Sequence, residues 1–244
     1  MSTVSSAAAF PTVTAAVFGP ISDWTRPMLT FYDDATGERT ELSAATLGNW
    51  AAKTANFVVD ELGAVPGDVV AVDLPQHWQT AAILLGCWWA GAHVRFGAGE
   101  ADDAVAVFTS VGRLDDHDDA DEVVVTSLDP FALPVRDLAP GVTDFSTAVR
   151  VHGDNYAARV RAAEALNDVS TADVLATAAA QADTDGVTPG ARVLSTRGWA
   201  DADALTRNLL SVLARGASLV SVANADPDAT DRRAQTEKAT LVLR

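Results

Sequence analysis

The sequence is poor in cysteine and in basic residues. Its 244 residues include one cysteine, Cys87, so no disulfide can form within the chain and a reducing cytoplasm is the expected location. Lysine and arginine together number 17 against 33 aspartates and glutamates, which gives a formal net charge of -16. Nucleic-acid binding depends on clustered positive charge, so this balance argues against a nucleic-acid partner.

Long apolar runs are also missing. The longest, AAILLGCWWAGA from Ala81, has 12 residues, whereas a membrane-spanning helix needs about 20. The opening MSTVSSAAAF has neither a basic segment nor an apolar run long enough for a signal peptide. We therefore expect no membrane attachment. Hydrophobic residues nevertheless make up 48% of the chain, which is enough for a folded core.

One sequence pattern occurs twice. GAVPGDVVAV begins at Gly63, and GVTPGARVLS begins 123 positions later at Gly186. In each copy a glycine ends a helix, Pro-Gly makes a turn, and an apolar run predicts a buried strand. A helix follows in each copy, and a second strand begins after Gly91 or Gly216. These two glycines are offset by 125 residues, which predicts a slightly longer connection in the second copy.

Two strand-helix-strand units predict an α/β fold with parallel strands and helices on both sheet faces. The rest of the chain adds a hairpin in MLTFYDDATGERTEL, a helix capped by Ser43, strands in AVAVFTS and EVVVTS, a helix from Ser170, and a last helix before the strand TLVL. Three prolines mark residues 128–153 as a long connecting loop. The predicted subdomains are residues 1–127 and 154–244, packed as one compact unit.

Two regions of the chain resemble the AMP-forming acyl-CoA synthetase, luciferase and peptide-synthetase adenylation family. In that family a helix ends in a phrase like LGVxPGDxVA, followed by a proline-marked strand end and a helix ending in AGA; residues 62–71, Pro75 and residues 90–92 match these features here. GVTPGARVLS, with its helix ending in GA, is similar to the second unit of that family. The resemblance covers about residues 30–110 and 170–244.

This resemblance implies an acetyl-CoA-synthetase-like N-terminal fold with two related α/β subdomains and largely parallel sheets. It points to a short actinobacterial-type homologue that keeps only the N-terminal part of the family fold. The 244 residues contain no match to the YGxTE-like segment of the family or to its C-terminal lobe with the catalytic lysine.

The family's phosphate-binding loop has no clear counterpart either. That loop, of the kind TSGTTGxPKG, encloses the ATP phosphates with backbone amides and a lysine. The most similar sequence in this chain is VVVTSLDPFALP, where Leu128 replaces a glycine and no lysine follows. The chain holds only Lys53 and Lys238, both in helices predicted elsewhere. We therefore expect no catalytic residues, no cofactor and no self-sufficient adenylation.

Three functions remain open on this basis. The preferred one is a non-catalytic homologue that binds a protein partner or a small acyl or nucleotide-like ligand. The alternative is half of a split acyl-activating enzyme, an AMP-forming ligase component whose missing parts come from a second chain. The third is a structural homo-oligomer that covers its apolar surface by self-association.

Two residues are candidates for ligand binding, Thr196 and Trp199 in LSTRGWAD. They follow the strand of the second unit at its carboxyl end, where open α/β sheets place ligands. The resembled family has an aromatic residue of its acyl pocket at this point. The other interpretation is that Trp199 packs in the core, as large aromatic side chains commonly do.

Metal and hydrolytic sites are not predicted. The segment LDDHDDADE, residues 114–122, lacks the glycine and closing glutamate of a calcium loop, so we interpret it as a solvated acidic loop. The four histidines, His77, His93, His117 and His152, show no metal-ligand spacing. VHGDNY resembles a catalytic His-Asp pair only superficially; its Gly-Asp more simply caps a predicted helix, YAARVRAAEAL.

Overall fold

The computed structural model describes residues 10–158 and 164–244, which form two β-sheets with helices between them. The strands are β1 (Pro27–Asp33), β2 (Glu38–Ser43), β3 (Val69–Asp73), β4 (His93–Phe96), β5 (Ala106–Ser110), β6 (Val123–Thr126), β7 (Val142–Asp144), β8 (Glu164–Leu166), β9 (Val169–Ser170), β10 (Arg192–Ser195), β11 (Ser218–Ala223) and β12 (Leu241–Leu243). The helices are α1 (Val13–Phe18), α2 (Ala44–Asp60), α3 (Trp78–Ala90), α4 (Phe145–Ala148), α5 (Thr171–Asp185), α6 (Ala202–Leu205), α7 (Ser211–Leu213) and α8 (Pro227–Thr236). A π-helix, Thr206–Leu210, joins α6 to α7, and 3-10 helices span Val111–His117 and Val149–Val151.

The two sheets are largely parallel, as predicted. The first has the order β12-β10-β11-β1-β2 and the second β7-β6-β5-β3-β4-β8-β9; among the paired strands described, only β1 with β2 and β8 with β9 run antiparallel. Each sheet draws strands from both sides of residues 128–153, because β1 and β2 join β10–β12 while β8 and β9 join β3–β7. The subdomain boundaries stay a prediction, and sheet membership does not follow them. The connecting segment also contains β7 and α4, which the sequence did not predict.

The repeated pattern builds the same local structure twice. In the first unit β3 pairs in parallel with β4, and in the second β10 pairs in parallel with β11. The Gly67 amide donates to the Gly91 carbonyl at 2.9 Å, and the Gly190 amide donates to the Gly216 carbonyl at 2.8 Å. Gly91 and Gly216 have φ angles of 87° and 74°, which side chains rarely tolerate, so glycine is required where each helix ends.

The offset between the two units grows from 123 to 125 residues. The predicted longer connection explains one of these two extra residues. The N-cap residues of the two crossover helices, His77 and Asp201, are 124 positions apart, so one extra residue lies in the connection before the helix. The offset reaches 125 at Gly91 and Gly216. The other extra residue is therefore within the second helix, where the π-helix Thr206–Leu210 accommodates it, as π-bulges do.

One predicted helix is wrong. In YAARVRAAEAL, residues 156–158 have no regular structure and Glu164–Leu166 is strand β8, while residues 159–163 lie outside the described part of the chain. At residues 164–166, tertiary contacts override the helix propensity of the sequence. Leu166 pairs with Val94 of β4, and the Trp88 indole Nε1 donates to the Ala165 carbonyl at 2.7 Å.

Residues 1–9, on which the expectation of no signal peptide rests, also lie outside the described part. Within the described ranges, no helix combines the length and the apolar character needed to cross a bilayer. The expectation of no membrane attachment itself stays a prediction.

Helices α2 and α3 fill the space between the sheets. Ser43 caps α2 by accepting the Thr46 amide at 3.1 Å, as predicted. Phe57 of α2 meets Phe108 of the second sheet edge-on at 6.3 Å, and α3 contacts both β1 and β3. The buried face of α2 thereby joins residues of both sheets into one apolar core. On the outer face of the first sheet, α8 covers a smaller cluster.

The contact between α2 and α3 leaves no room for a side chain at Gly86. A Cβ placed there would lie 2.3 Å from the Thr54 Cβ and 2.8 Å from the Ala51 carbonyl oxygen. Both atoms belong to α2, which is held by the sheets on either side. Glycine at this position sets how closely the two helices approach.

We predict that Gly86→Ala lowers the free energy of unfolding by about 2–3 kcal/mol, because the added methyl group must push α2 and α3 apart. Urea unfolding at pH 7 measures the change. Gly112→Ala is the matched control, since nothing lies within 4 Å of a Cβ at Gly112. Equal stability of the Gly86 and Gly112 variants would contradict this account of the helix contact.

A buried charge network holds α8 and β12 against the first sheet. The Tyr32 hydroxyl donates to Glu237 Oε1 at 2.6 Å, and Arg39 Nε donates to the same oxygen at 3.0 Å. Arg192 forms an ion pair with Glu237 and donates Nε to its carbonyl at 2.7 Å. Burial by itself raises the pKa of Glu237, but the hydrogen bonds from Tyr32 and the two arginines outweigh it and hold this pKa below the ordinary 4.5.

The direction of this shift gives a pH prediction. A carboxylate whose pKa is lowered by folding stabilises the protein above its unfolded pKa, and this contribution disappears as pH falls through the folded pKa. Glu237→Gln should lower the free energy of unfolding by roughly 3 kcal/mol at pH 7, and its stability should fall less steeply than that of the wild type below pH 4.5.

Thermal unfolding followed by circular dichroism across this pH range measures both effects. Asp231→Asn is the control, because Asp231 and its partner Arg244 are exposed by 83% and 60%. Parallel pH profiles for the wild type and Glu237→Gln would show that Glu237 does not carry the acid dependence.

Candidate functional site

The structure places Thr196 and Trp199 just beyond the carboxyl end of β10. The Thr196 amide donates to the Leu243 carbonyl at 3.0 Å, which continues the pairing of β10 with β12. Its side chain is half-buried, whereas Trp199 is 2% exposed and belongs to the main apolar core. The indole thus packs inward, and the assignment of this pair to ligand binding stays a prediction.

The loop that carries Trp199 is fixed by two contacts that the sequence did not indicate. Asn208, in the π-helix, donates its side-chain amide to the Gly198 carbonyl at 2.7 Å. Arg197 forms an ion pair with Asp185 at 2.8 Å at the end of α5. The added residue in the π-helix changes which side chains face this loop, so the helix irregularity and the loop belong together.

A side-chain bridge joins the two repeat units at the carboxyl ends of their strands. Gln76, in the loop between β3 and α3, donates to the Ser221 hydroxyl of β11 at 2.6 Å. Its neighbour His77 accepts the Gln79 amide through Nδ1 at 3.2 Å, so the proton is on Nε2, which faces Glu38 at 3.4 Å. These polar groups satisfy one another across the two units.

A buried aspartate lies at the carboxyl end of β3. Asp73 forms an ion pair with Arg113 and meets His117 Nε2 at 3.0 Å, and both Asp73 and His117 are nearly fully buried. His117 belongs to the acidic segment that the sequence predicted to be a solvated loop. The prediction holds for the exposed carboxylates of residues 115, 116, 118 and 119, but the segment is partly a 3-10 helix and its histidine points inward.

The loop after β6 belongs to VVVTSLDPFALP, the sequence that is most similar to the phosphate-binding loop of the resembled family. Thr126 and Gln79 hydrogen-bond through their side chains. Asp129 Oδ1 accepts the amides of Phe131 at 2.8 Å and Leu133 at 3.3 Å. Farther along this loop, Asp144 Oδ1 accepts the Val135 amide at 2.9 Å. Carboxylates of the protein itself therefore occupy these backbone donors.

Neither lysine lies in this loop. Lys53, on α2, donates to the His152 carbonyl at 2.5 Å and pairs with Asp154 at 2.8 Å. Asp154 thus binds a lysine, which the sequence did not predict. Lys238 is exposed just beyond α8. The described loop after β6 therefore has no ammonium group of its own.

One cluster of metal-ligating residue types occurs within the described ranges, and the sequence did not reveal it. Donor atoms of His93, Glu164 and Asp168 all lie within 4.8 Å of one another. However, His93 Nε2 accepts the Asp168 amide at 2.9 Å, and Arg95 donates to the Asp168 carboxylate at 3.3 Å. A metal ligand needs a free imidazole lone pair, so as it stands this cluster is a hydrogen-bonded junction between β4 and the β8–β9 hairpin.

Comparison with curated proteins finds a close relative. A protein of Mycobacterium tuberculosis strain H37Rv, described as "TIGR03089 family protein", is 48% identical over 238 residues, which cover 95% of this chain and 98% of that protein. No family model matches the chain. The relative's description gives no activity.

Comparison with solved structures identifies the fold. An acyl-CoA synthetase of Brucella canis superimposes with a TM-score of 0.78 at 19% identity, covering 95% of this chain and 46% of its own. A benzoate CoA ligase of Burkholderia xenovorans LB400 gives 0.73 at 17% identity, covering 95% and 49%. The N-terminal domain of FACL13 from Mycobacterium tuberculosis gives 0.67 at 17% identity, covering 93% and 61%. The chain thus has the fold of the N-terminal region of acyl-CoA synthetases and spans about half the length of these structures.

The packing of Trp199 leads to a prediction. Trp199→Ala should lower the free energy of unfolding by about 3–5 kcal/mol, because it opens a cavity in the main core. Phe131→Ala, at a side chain that is 80% exposed, should change it by less than about 0.5 kcal/mol. Urea unfolding of both variants makes the comparison. A small effect at Trp199 would mean that its indole is not a core element and would favour a role in ligand binding.

Proposed function

Because the chain belongs to the TIGR03089 family and has the fold of the N-terminal region of acyl-CoA synthetases, we propose that it is a non-catalytic homologue of that region. It acts by binding a protein partner or a small acyl or nucleotide-like ligand, and it does not adenylate a substrate by itself. The observation that carries this proposal is the loop after β6, whose amides already bind carboxylates.

Phosphate groups bind proteins through unpaired backbone amides and positive charge. In the loop after β6, Asp129 and Asp144 accept the amides of Phe131, Leu133 and Val135. A triphosphate at this loop would have to displace two carboxylates and would meet their negative charge. Loss of one preorganised hydrogen-bond donor in a catalytic site costs about 3–4 kcal/mol of transition-state stabilisation. In this loop several donors are already occupied by carboxylates, which argues strongly against phosphoryl chemistry here.

The lysine that adenylation needs is also missing from this loop. The two lysines of the sequence are Lys53, which pairs with Asp154, and Lys238, which lies exposed just beyond α8. Arg113, the basic residue closest in sequence to this loop on its amino-terminal side, pairs with the buried Asp73. The ion pairs of Lys53 and Arg113 neutralise these two charges, and the basic residue that the loop itself contains is the exposed Arg136.

A protein partner is supported by large apolar side chains at the surface. Phe131 is 80% exposed, Val151 79% and Leu133 54%. Apolar side chains that lie together at a surface are typical of a contact with another protein, and Arg150, next to Val151, donates to the Ala132 carbonyl at 2.7 Å, between Phe131 and Leu133. Self-association into a homo-oligomer is one form that such a contact can take.

We further propose a reducing cytoplasm as the place of action. Cys87 is completely buried in α3, and burial raises the pKa of its thiol. A single, protonated and buried thiol forms no disulfide within the chain, so nothing in the described fold depends on an oxidising compartment.

The alternative function is half of a split acyl-activating enzyme. The fact that favours it is the length match: the chain covers 46% of the Brucella canis synthetase and 49% of the benzoate CoA ligase. A second chain would then have to supply the phosphate-binding loop and the catalytic lysine.

The test is titration calorimetry of the purified chain with ATP and Mg²⁺, together with an assay for pyrophosphate release in the presence of a range of carboxylic acids. We expect neither micromolar binding nor release. A solved acyl-CoA synthetase of the same fold serves as positive control in both measurements. The double variant Asp129→Ala/Asp144→Ala removes both loop carboxylates and the acceptors that occupy these amides, and shows whether they are what excludes ATP.

Micromolar ATP binding by the wild-type chain without pyrophosphate release would favour the split enzyme, and release by the chain alone would refute the proposal outright. Light scattering at high protein concentration separates the two forms of protein binding. A clean monomer would exclude the homo-oligomer and leave a different protein or a small ligand as the partner.

A further inference from the structure

A cavity of about 340 Å³ opens at the amino ends of β1, β10 and β11, on the edge of the first sheet opposite Thr196. One wall is the segment of residues 20–26 between α1 and β1. The other walls are the turns before β10 and β11, residues 189–191 and 216–218. Its volume is within the lower range of small-molecule sites, about 300–1,000 Å³.

The two repeat units close differently, and the second unit borders the cavity. In the first unit a Cβ at Gly91 would meet Pro66 of the same unit at 3.1 Å. In the second unit a Cβ at Gly216 would instead meet Pro20 at 3.0 Å, from the distant segment before β1. Pro20 and Pro189 thus stand on different walls, with the cavity between them. Proline fixes the backbone at both places, so the walls are preformed.

The cavity combines two opposite charges with an apolar floor. Asp23 and Arg26 both line it and both are exposed, and within the described residues neither forms an ion pair. Met28 and Ala44, at the base, are 2% and 1% exposed. Besides the hydrogen bonds from Thr25, Arg26 contributes to the lowered pKa of Asp23, but the Asp23 and Arg26 side chains form no ion pair among the described residues, so both are available to a ligand.

Asp23 is held in its charged form. Its Oδ1 accepts the Thr25 amide at 3.0 Å and the Thr25 hydroxyl at 2.7 Å. These hydrogen bonds lower the pKa of Asp23 below its ordinary value. The second carboxylate oxygen, Oδ2, has no hydrogen bond within the described structure, so it can accept one from a cationic group.

We propose that this cavity binds a small zwitterion with an apolar body, whose cationic group meets Asp23 and whose anionic group meets Arg26. The apolar body lies against the more accessible apolar lining, Pro20 and Ile21. A simple anion would be attracted by Arg26 but repelled by Asp23. A simple cation would be attracted by Asp23 but repelled by Arg26. Only a ligand with both charges therefore gains from both residues. The site is separate from the carboxyl edge of the sheets, and the inference does not depend on whether the chain binds ATP.

The probe is 6-aminohexanoate, compared with hexanoate and hexylammonium, which have the same apolar chain but one charge each. Titration into ¹⁵N-labelled protein, followed by NMR, should give saturable shifts at residues 20–28, 190–191 and 216–218. We expect 6-aminohexanoate to bind about tenfold more tightly than either single-charge probe, the factor that corresponds to about 1.4 kcal/mol.

Two variants assign the charges. Asp23→Asn should remove the preference for 6-aminohexanoate over hexanoate, and Arg26→Gln should remove its preference over hexylammonium. Arg207→Gln is the control, because Arg207, in the π-helix, pairs with Asp203 of α6 and does not line the cavity. Both tested side chains are exposed, so each variant should keep the unfolding temperature of the wild type.

The inference is overturned if 6-aminohexanoate gives no saturable shift at millimolar concentration. It is also overturned if the three probes bind equally, or if the Asp23 and Arg26 variants keep the wild-type preference. None of these results bears on adenylation, which the ATP titration decides separately.

Discussion

The close contact of α2 with α3 at Gly86 is the constraint on which the rest of the architecture depends. Because a Cβ at Gly86 would lie 2.3 Å from Thr54, the two helices approach as closely as their backbones allow. This thin helical layer carries one sheet on each side, and its side chains join both sheets in one core. The spacing between the sheets, and with it the position of every loop at their edges, follows from that contact.

The polar groups at the carboxyl ends of the strands illustrate what this spacing does. Gln76 from the first unit reaches Ser221 in the second, and His77 reaches Glu38. Burying polar groups is unfavourable unless they are hydrogen-bonded, and Gln76, His77 and Ser221 all have partners within the protein, whereas the buried Thr109 hydroxyl at the end of β5 has none among the described residues. The loop after β6 follows the same rule, because Asp129 satisfies its own amides. An edge that usually receives ligands in α/β folds is stabilised here by internal contacts, while the opposite edge has a cavity with unpaired charges.

More of the fold than of the candidate site was predictable from the sequence. The repeated Pro-Gly pattern, the hairpin and the Ser43 cap are local signals, and each gave the element that it indicates. The inward turn of His117 was not predictable, because Asp73, its partner, is 44 positions away. The helix assigned to YAARVRAAEAL was wrong at its described ends for the same reason. Its propensity is local, but the pairing of Leu166 with Val94 is not.

The sequence by itself determined the α/β class, the two related units and the scarcity of lysine, because periodicity, turn residues and composition act over short distances. Only the tertiary structure decided which sheet each strand joins and where Trp199 points. It also decided that Asp23 and Arg26 line one cavity beside turns from residues 189–191 and 216–218. These outcomes depend on which distant side chains fill the same space, and the packing of a core selects among such arrangements without leaving a local pattern in the chain.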